Sequence, residues 1–435
     1  MVQRIRNFDE EKRPPVIALD GPSALGLYRD KDDMSQQEFV SSSNDSDEFW
    51  ADCRHLSDED IAAELLADAN VYEHAIQADW THWDEENQRD DASDKSPLLP
   101  RLERTRRCDL SRCSSRSAEL KRVPLATLGV QPPVEGAPLY LLVSGITTRR
   151  AVRNVRERTC SVALPSDCFK LLGGQVLVPT PEFCFLLLSK HVNLATLIQL
   201  GMEMCGHYRM VGAMSSTLTQ SKRTIYNCDA LTTPERIISF LDSMQGFPGI
   251  NQARRAAQYL VADSASPMET TLYMLLCLPN ALGGYGLPTP ALNAKRPVNQ
   301  NAQSFTFSHT LIPDLYWKQA LLDVEYDSEE FHASKDALDK GARRTLALRA
   351  MHVDVFSMTS DMVHDEAAFH TFARLLARRL HKRIRKPTEL MQERRAALRT
   401  TLLGQSNKGN TSSKSHIGKS ADWIGNDAEQ TAKRG

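Results

Sequence analysis

The sequence has no Cys-x-x-Cys pair and no long apolar run, and each absence excludes a class of protein. Among its nine cysteines, Cys108 and Cys113 have no matching second pair, so the spacing does not predict a zinc site. No apolar run approaches the ~20 residues that span a bilayer, and the charged N-terminus lacks a signal-peptide pattern. Cys184, Cys205 and Cys277 lie in apolar surroundings. We therefore expect reduced thiols, a cytoplasmic protein and no membrane contact.

Aromatic residues make up only 7% of the chain, and the charge is unevenly distributed. Residues 1–100 contain 9 Lys/Arg and 25 Asp/Glu, whereas the remainder contains 44 and 30. The net charges are therefore −16 and +14, which are typical of a solvated acidic arm attached to a basic body. The arm could instead mask a nucleic-acid surface or bind a basic protein partner.

The composition predicts that residues 1–122 form an acidic and then basic arm that is mostly disordered. A capping-box-like start at Ser57 predicts a helix over residues 58–78 within it. On this basis, folding should not require the first 100 residues.

From residue 139 onward, short strands and capped helices predict an α+β protein. At 435 residues, two folded domains with tails are expected. The predicted units are a smaller mixed α/β domain over 139–262, a second domain over 266–386, and a basic helix with a disordered tail over 387–435. Helix starts with proline at the first position are predicted at two places: Thr180-Pro181-Glu182 and Thr233-Pro234-Glu235.

A β-hairpin is predicted between residues 312 and 327, where two short apolar runs flank Lys318-Gln319. Since side chains alternate along a strand, Asp323, Glu325 and Asp327 share one face. A two-residue turn would pair Asp314 with Asp323 and set it diagonal to Glu325. A three-residue turn would move Asp314 to the opposite face. Such a face is either exposed to solvent or a cage for a hard cation, Mg²⁺ or Mn²⁺.

The residues around this hairpin resemble, in order, the very-short-patch-repair (Vsr)-like branch of the PD-(D/E)xK nuclease superfamily. The resemblance covers about 266–380 and rests on these elements: Ser266-Pro267-Met268-Glu269, Asp314, Glu325-Tyr326-Asp327, His332, Asp339 to Arg343, and the strand 353–358 before Thr359. The sequence departs from the family in two places. Ser328 stands where the family usually has glycine, and no lysine follows Glu325 at the second position.

The resemblance implies a restriction-endonuclease-like fold, a mixed sheet flanked by helices, and metal-dependent hydrolysis of phosphodiester bonds in DNA. It implies metal binding by Asp314, Glu325 and Asp327, with His332 as base or water-orienting group and Glu269 as an outer or second ligand. Such an endonuclease would act in repair or in defence against phage and mobile elements. The two departures favour an alternative, a catalytically inactive DNA-binding or toxin–antitoxin regulatory protein. A third hypothesis is a pure interaction protein that works through its acidic arm.

The middle segment, 139–262, resembles the body of abortive-infection antitoxin-like bacterial proteins. The matching start is Val178-Pro179-Thr180-Pro181-Glu182. No winged helix is evident in residues 1–138, although one usually leads in that family.

Basic residues are densest near the C-terminus, where Asp365 to Ile384 has the pattern of an amphipathic helix. We expect Arg378, Arg379, Lys382 and Arg383 to contact DNA phosphates, with Arg394, Arg395 and Arg399 extending the same surface. A basic face that only maintains solubility is the alternative. Gly283-Gly284-Tyr285-Gly286 follows a helix rather than a strand, so it predicts a helix-ending loop and not a phosphate loop.

Overall fold

The computed structural model describes residues 17–37, most of 102–211, 223–327 and 335–404. The elements of its first part are β1 (Ile17–Leu19), α1 (Gly21–Gln37), β2 (Leu102–Arg104), α2 (Ser117–Leu120), β3 (Leu139–Val143), β4 (Val155–Thr159), β5 (Phe169–Leu172), β6 (Val176–Pro179), α3 (Pro181–Leu188), α4 (Leu194–Met204), β7 (Tyr208–Val211), β8 (Arg223–Tyr226), α5 (Pro234–Ser243) and α6 (Ile250–Ala257).

The second part begins with α7 (Pro267–Cys277) and contains the predicted hairpin. Its elements continue with β9 (Ala291–Leu292), β10 (Arg296–Pro297), α8 (Gln300–Gln303), β11 (Thr310–Leu311), β12 (Leu315–Trp317), β13 (Leu322–Asp327), α9 (Lys335–Ala350), β14 (Asp354–Thr359), α10 (Ser360–His364), α11 (Glu366–Arg379) and α12 (Glu389–Leu403).

Two larger sheets organise these elements. The first has the strand order β2-β5-β6-β1-β3-β4, and the second has the order β14-β13-β12-β9. Strands β13 and β14 are parallel and joined through α9, whereas β12 is antiparallel to both β13 and β9. The protein is therefore mixed α+β, as predicted.

Strand β1 corrects the prediction for one part of the N-terminal arm, because residues 17–37 are folded. It lies inside the six-stranded sheet, parallel to β6 and antiparallel to β3. Ile17, Ala18 and Leu19 are at most 1% exposed. Helix α1 is fastened behind it by a buried ion pair, Arg29 Nη2 to Glu203 Oε2 at 2.6 Å. The composition of residues 1–100 is strongly acidic on average, so it did not reveal the short apolar run at residues 17–19. The helix predicted over 58–78 lies outside the described residues.

The domain boundary predicted between 262 and 266 lies within a continuous hydrophobic core. That core includes buried residues from Ile17 through to Leu398. Helix α4, from the first predicted domain, packs against α7 and α12 of the second part. The cysteines that the structure describes are free thiols. Within the described ranges, no helix has the length and apolarity required to cross a membrane.

Candidate metal centre and basic surface

The β12–β13 hairpin carries the predicted carboxylates. Its ladder has this register: Leu315 to Val324, Tyr316 to Asp323, and Trp317 to Leu322. Asp314 precedes β12 by one residue, so the same register carried one step further places it opposite Glu325. The Tyr326 amide donates a hydrogen bond to Asp314 Oδ2 at 2.9 Å, which holds the Asp314 side chain against the second strand.

The turn is longer than the sequence predicts. Residues 318–320 form a 3₁₀ turn and Leu321 has φ 46°, so four residues separate the strands instead of two. Asp314 therefore faces Glu325 rather than Asp323. Because the shift is an even number of residues, the carboxylates stay on one face. A positive φ is rare for leucine, and here the Leu321 carbonyl accepts from the Asp354 amide at 2.8 Å, where β14 begins.

Helix α9 covers the carboxylate face. Leu322 and Val324 belong to the main core, whereas Tyr316 packs with Ala347 and Leu348 of α9 in a second, smaller core. The sheet therefore separates two apolar layers, and the acidic residues lie at the edge of the smaller one. The carboxylate face is therefore covered, and it is not the solvent-exposed hairpin face that the sequence left open as an alternative.

Arg344 of α9 is the cation among these acids. Its Nη2 lies 2.7 Å from Glu325 Oε1 and its Nε lies 3.2 Å from Glu325 Oε2, so the two side chains make a two-pronged pair. The same Nη2 is 4.0 Å from Asp314 Oδ1 and donates to the Ile312 carbonyl. Glu325 raises the pKa of Arg344 despite the opposing effect of burial.

Sequence reasoning missed Arg344, although a signal was present. Arg343 pairs along the helix surface with Asp339 at 2.8 Å. Successive residues of an α-helix point about 100° apart. The neighbour of a surface-paired arginine is therefore directed away from that pair, and here it reaches the sheet.

Asp323 is the most deeply buried member of the cluster, at 0% exposure. Neither of its carboxylate oxygens has a hydrogen-bond donor among the described residues. Burial, and then the nearby Glu325 carboxylate, raise the pKa of Asp323 to about 10. The neutral acid is thus the form that this site favours, because burial and the neighbouring Glu325 carboxylate both oppose a negative charge on Asp323.

Glu269 joins the cluster from the first turn of α7. Ser266 caps that helix through the Glu269 amide at 3.1 Å, and the Glu269 carboxylate accepts from the Ala265 amide at 2.8 Å. Asn293 Nδ2 donates to the same Oε2 at 2.5 Å. Burial raises the pKa of Glu269, with Glu325 adding to the effect. The Glu269 side chain is therefore fixed by hydrogen bonds, and its charge interacts with that of Glu325 on the hairpin.

The pKa of Asp314 is raised by burial and by two neighbouring carboxylates. Burial, followed by Glu325 and Glu269, raises the pKa of Asp314 well above its ordinary value. Asp314, Asp323, Glu325 and Glu269 thus outnumber their arginine. Carboxylates of this kind suit a hard divalent ion. In the described ranges, however, no three His, Cys, Asp or Glu side chains are arranged to hold a metal ion as they stand.

The remaining predicted residues lie at the border of this cluster or outside the residues that the structure describes. Asp327 is the last residue of β13, on the same face as Glu325, and pairs in register with Thr359. Thr359 caps α10 through the Met362 amide. His332 lies outside the described residues.

The predicted DNA-contacting residues lie on and after α11. Arg378, Lys382 and Arg383 are exposed, whereas Arg379 is paired with Asp354 of β14. Lys382, Arg383 and Arg385 also line a cleft of about 310 Å³ together with Tyr285, Ile384 and Met391. The cleft therefore combines positive charge with an apolar lining.

Two arginines that the sequence assigned to this surface face the core instead. The Arg395 guanidinium stacks 4.1 Å from the Tyr285 ring centre, and Arg399 lies 5.3 Å from that of Phe369. Gly284 lies in the loop that follows the 3₁₀ turn over residues 280–282, after α7. A Cβ on Gly284 would lie 2.0 Å from the Leu278 carbonyl oxygen, so this loop needs glycine for close packing. The helix α7 itself ends earlier, at Cys277, and Gly283 ends a 3₁₀ turn over residues 280–282.

The chain matches no protein-family model, no curated protein and no solved structure.

Proposed function

We propose that this protein is a divalent-metal-dependent endonuclease that hydrolyses phosphodiester bonds in DNA. One observation carries the proposal. Asp314, Asp323 and Glu325 gather on a covered sheet face with Glu269 beside them, and Arg344 is the only cation hydrogen bonded to Glu325 among the described residues. A buried group of acids with such an excess of negative charge is stable only if it gains protons or a cation.

The donor chemistry fits Mg²⁺ or Mn²⁺, since both ions prefer carboxylate oxygens and water. Asp314 and Glu325, partly exposed, would hold the ion from the open side, and Asp323, whose two oxygens lack donors, from the buried side. Asp327 would join from the end of β13. A divalent ion supplies charge neutralisation at phosphate and makes a water molecule more acidic. Glu269 anchors the adjacent helix start, and His332 would accept a proton from that water.

The exposed side chains of Arg378, Lys382 and Arg383 support DNA as the substrate. They give the C-terminal part a positive surface that can pair with phosphates irrespective of base sequence. Repair, or defence against mobile DNA, would use such an enzyme.

Plasmid cleavage with and without Mg²⁺ or Mn²⁺ tests the proposal. Wild-type protein should cleave only with the ion, and Asp314→Asn should lose about a hundredfold or more of the rate, since even changes next to metal ligands cost 10–100-fold. Asp339→Asn is the matched control because Asp339 lies in an exposed helix-surface pair. Equal cleavage by wild type and Asp314→Asn would contradict the assignment.

A second candidate is a DNA-binding regulator, of the toxin–antitoxin kind, with the nuclease fold but no activity. Two observations favour it: Arg344 engages Glu325, and no three ligands are in place for a metal ion among the described residues. In this case duplex DNA binds, and neither ion promotes cleavage by any variant.

A further inference from the structure

Arg344 lies where a bound cation would lie. Its guanidinium spans both oxygens of Glu325 and reaches toward Asp314, so it balances the charge of Glu325 and offsets part of that of Asp314. Its side chain is 34% exposed. It can therefore move into solvent without crossing the core.

The contact is stronger than an ordinary surface ion pair. Two-pronged arginine–carboxylate pairs fix geometry as well as charge, and the Glu325 side chain is only 16% exposed. A divalent ion shared by Glu325 and Asp314 would need the space that Arg344 Nη2 fills between their oxygens, 2.7 Å from Glu325 Oε1 and 4.0 Å from Asp314 Oδ1, and the guanidinium would repel it. Ion binding therefore has to displace one partner.

We propose that Arg344 is a resident counter-ion that competes with the divalent ion for Glu325 and Asp314. This inference rests on the metal site of the proposed function. The free protein is held in a closed state by Arg344, and the ion binds when that side chain leaves. Arg344 is a positioning residue in this scheme and not a ligand. It also accounts for a group of acids that is too scattered to hold an ion while the arginine is in place.

Calorimetric titration of the full chain with Mn²⁺ tests the competition. Arg344→Gln should bind Mn²⁺ about tenfold or more tightly than wild type, because a charged hydrogen bond no longer has to be broken. Arg344→Lys keeps the charge but loses the fork, so its affinity should fall between the two. Arg343→Gln is the matched control. It is the next residue on the same helix, and its partner is Asp339.

A double variant separates this site from other acidic segments of the chain. Arg344→Gln with Asp314→Asn should lose the added affinity, whereas ions held elsewhere would be unaffected. Thermal melting gives a second readout. Arg344→Gln should be less stable than wild type without metal, and should gain more stability from the same Mn²⁺ concentration.

The outcomes distinguish this inference from the proposed function. Equal or weaker Mn²⁺ binding by Arg344→Gln, beside metal-dependent cleavage by wild type, overturns the competition and leaves the nuclease intact. If neither protein binds Mn²⁺ at Asp314, both are overturned. If Arg344→Lys binds no differently from wild type while Arg344→Gln fails to fold, the competition is also overturned.

Discussion

Asp323 has an unusual position for an aspartate, since it is fully buried and has no donor to its oxygens within the described part of the chain. Its pKa of about 10 in the folded state lies far above the ordinary value of about 3.9. The unfolded chain therefore releases this proton at a lower pH than the folded chain does. Between those two pH values, the free energy of unfolding decreases as pH rises.

Replacing Asp323 by Asn removes this pH penalty with little change of shape. Without divalent metal, Asp323→Asn should be more stable than wild type by about 1–3 kcal/mol at pH 8, and the difference should shrink toward pH 4. Urea unfolding in a chelator at both pH values measures it. Asp339→Asn, in an exposed pair, should show no such pH dependence. A constant difference at both pH values would mean that Asp323 is not strained by charge.

The acidic face was predictable residue by residue, but its counter-charge was not. Alternation along a strand is a local rule, so Asp323 and Glu325 could be assigned to one face from the sequence alone. Arg344 meets them only because α9 crosses over the sheet between two parallel strands. Contacts of that kind depend on tertiary packing, which residue spacing does not reveal.

Helix starts were the elements most readily predicted. Thr180, Thr233 and Ser266 each accept a hydrogen bond from the amide three residues on, as their position before Pro requires. These signals are local and survive in any tertiary context. The hairpin turn was mispredicted because Leu321 was assigned to a strand. Its positive φ is compatible with leucine only through tertiary contacts.

The exposed basic end of α11 should set the salt dependence of DNA binding. Charge reversal at Arg378, Lys382 and Arg383 should weaken duplex binding and flatten the plot of log affinity against log salt by about one unit per lost phosphate contact. Arg379 is left unchanged because it pairs with Asp354. Fluorescence anisotropy at several salt concentrations measures the slope.

Arg255→Glu provides the comparison for this experiment. Arg255 is exposed on α6, outside the α11 surface, so it changes the net charge without removing a proposed contact. If it flattens the slope as much per charge as the α11 changes do, binding depends on net charge alone. An unchanged slope in the α11 variant would place the DNA footprint elsewhere.

At the scale of the whole molecule, β1 unites the six-stranded sheet. It lies between β6-β5-β2 on one side and β3-β4 on the other. The sheet is therefore continuous only through the three buried residues of β1, Ile17–Leu19. The segment that composition marks as dispensable thus supplies a central strand. Averages over 100 residues cannot detect a feature of this length.

Leu19→Ala should lower the free energy of unfolding by about 2–5 kcal/mol, the usual cost of a cavity in a packed core. Leu19 is 0% exposed, whereas Leu375 on α11 is 46% exposed and serves as the control. Leu375→Ala should change stability by less than about 0.5 kcal/mol. Similar losses in the two variants, measured by urea unfolding, would show that β1 is peripheral.

The place of β1 also has a consequence during synthesis. Ile17 pairs with Val176, so about 160 residues of chain must be made before the parallel neighbour of the first strand exists. At synthesis rates of roughly 5–20 residues per second, this delay is on the order of ten to thirty seconds. For that time β1 lacks its parallel neighbour, although its antiparallel neighbour β3 is made earlier, and it belongs to a growing chain whose residues 1–100 are strongly acidic. Like charges on neighbouring nascent chains repel one another, so we expect the acidic segment to oppose association of these strands until β6 is made.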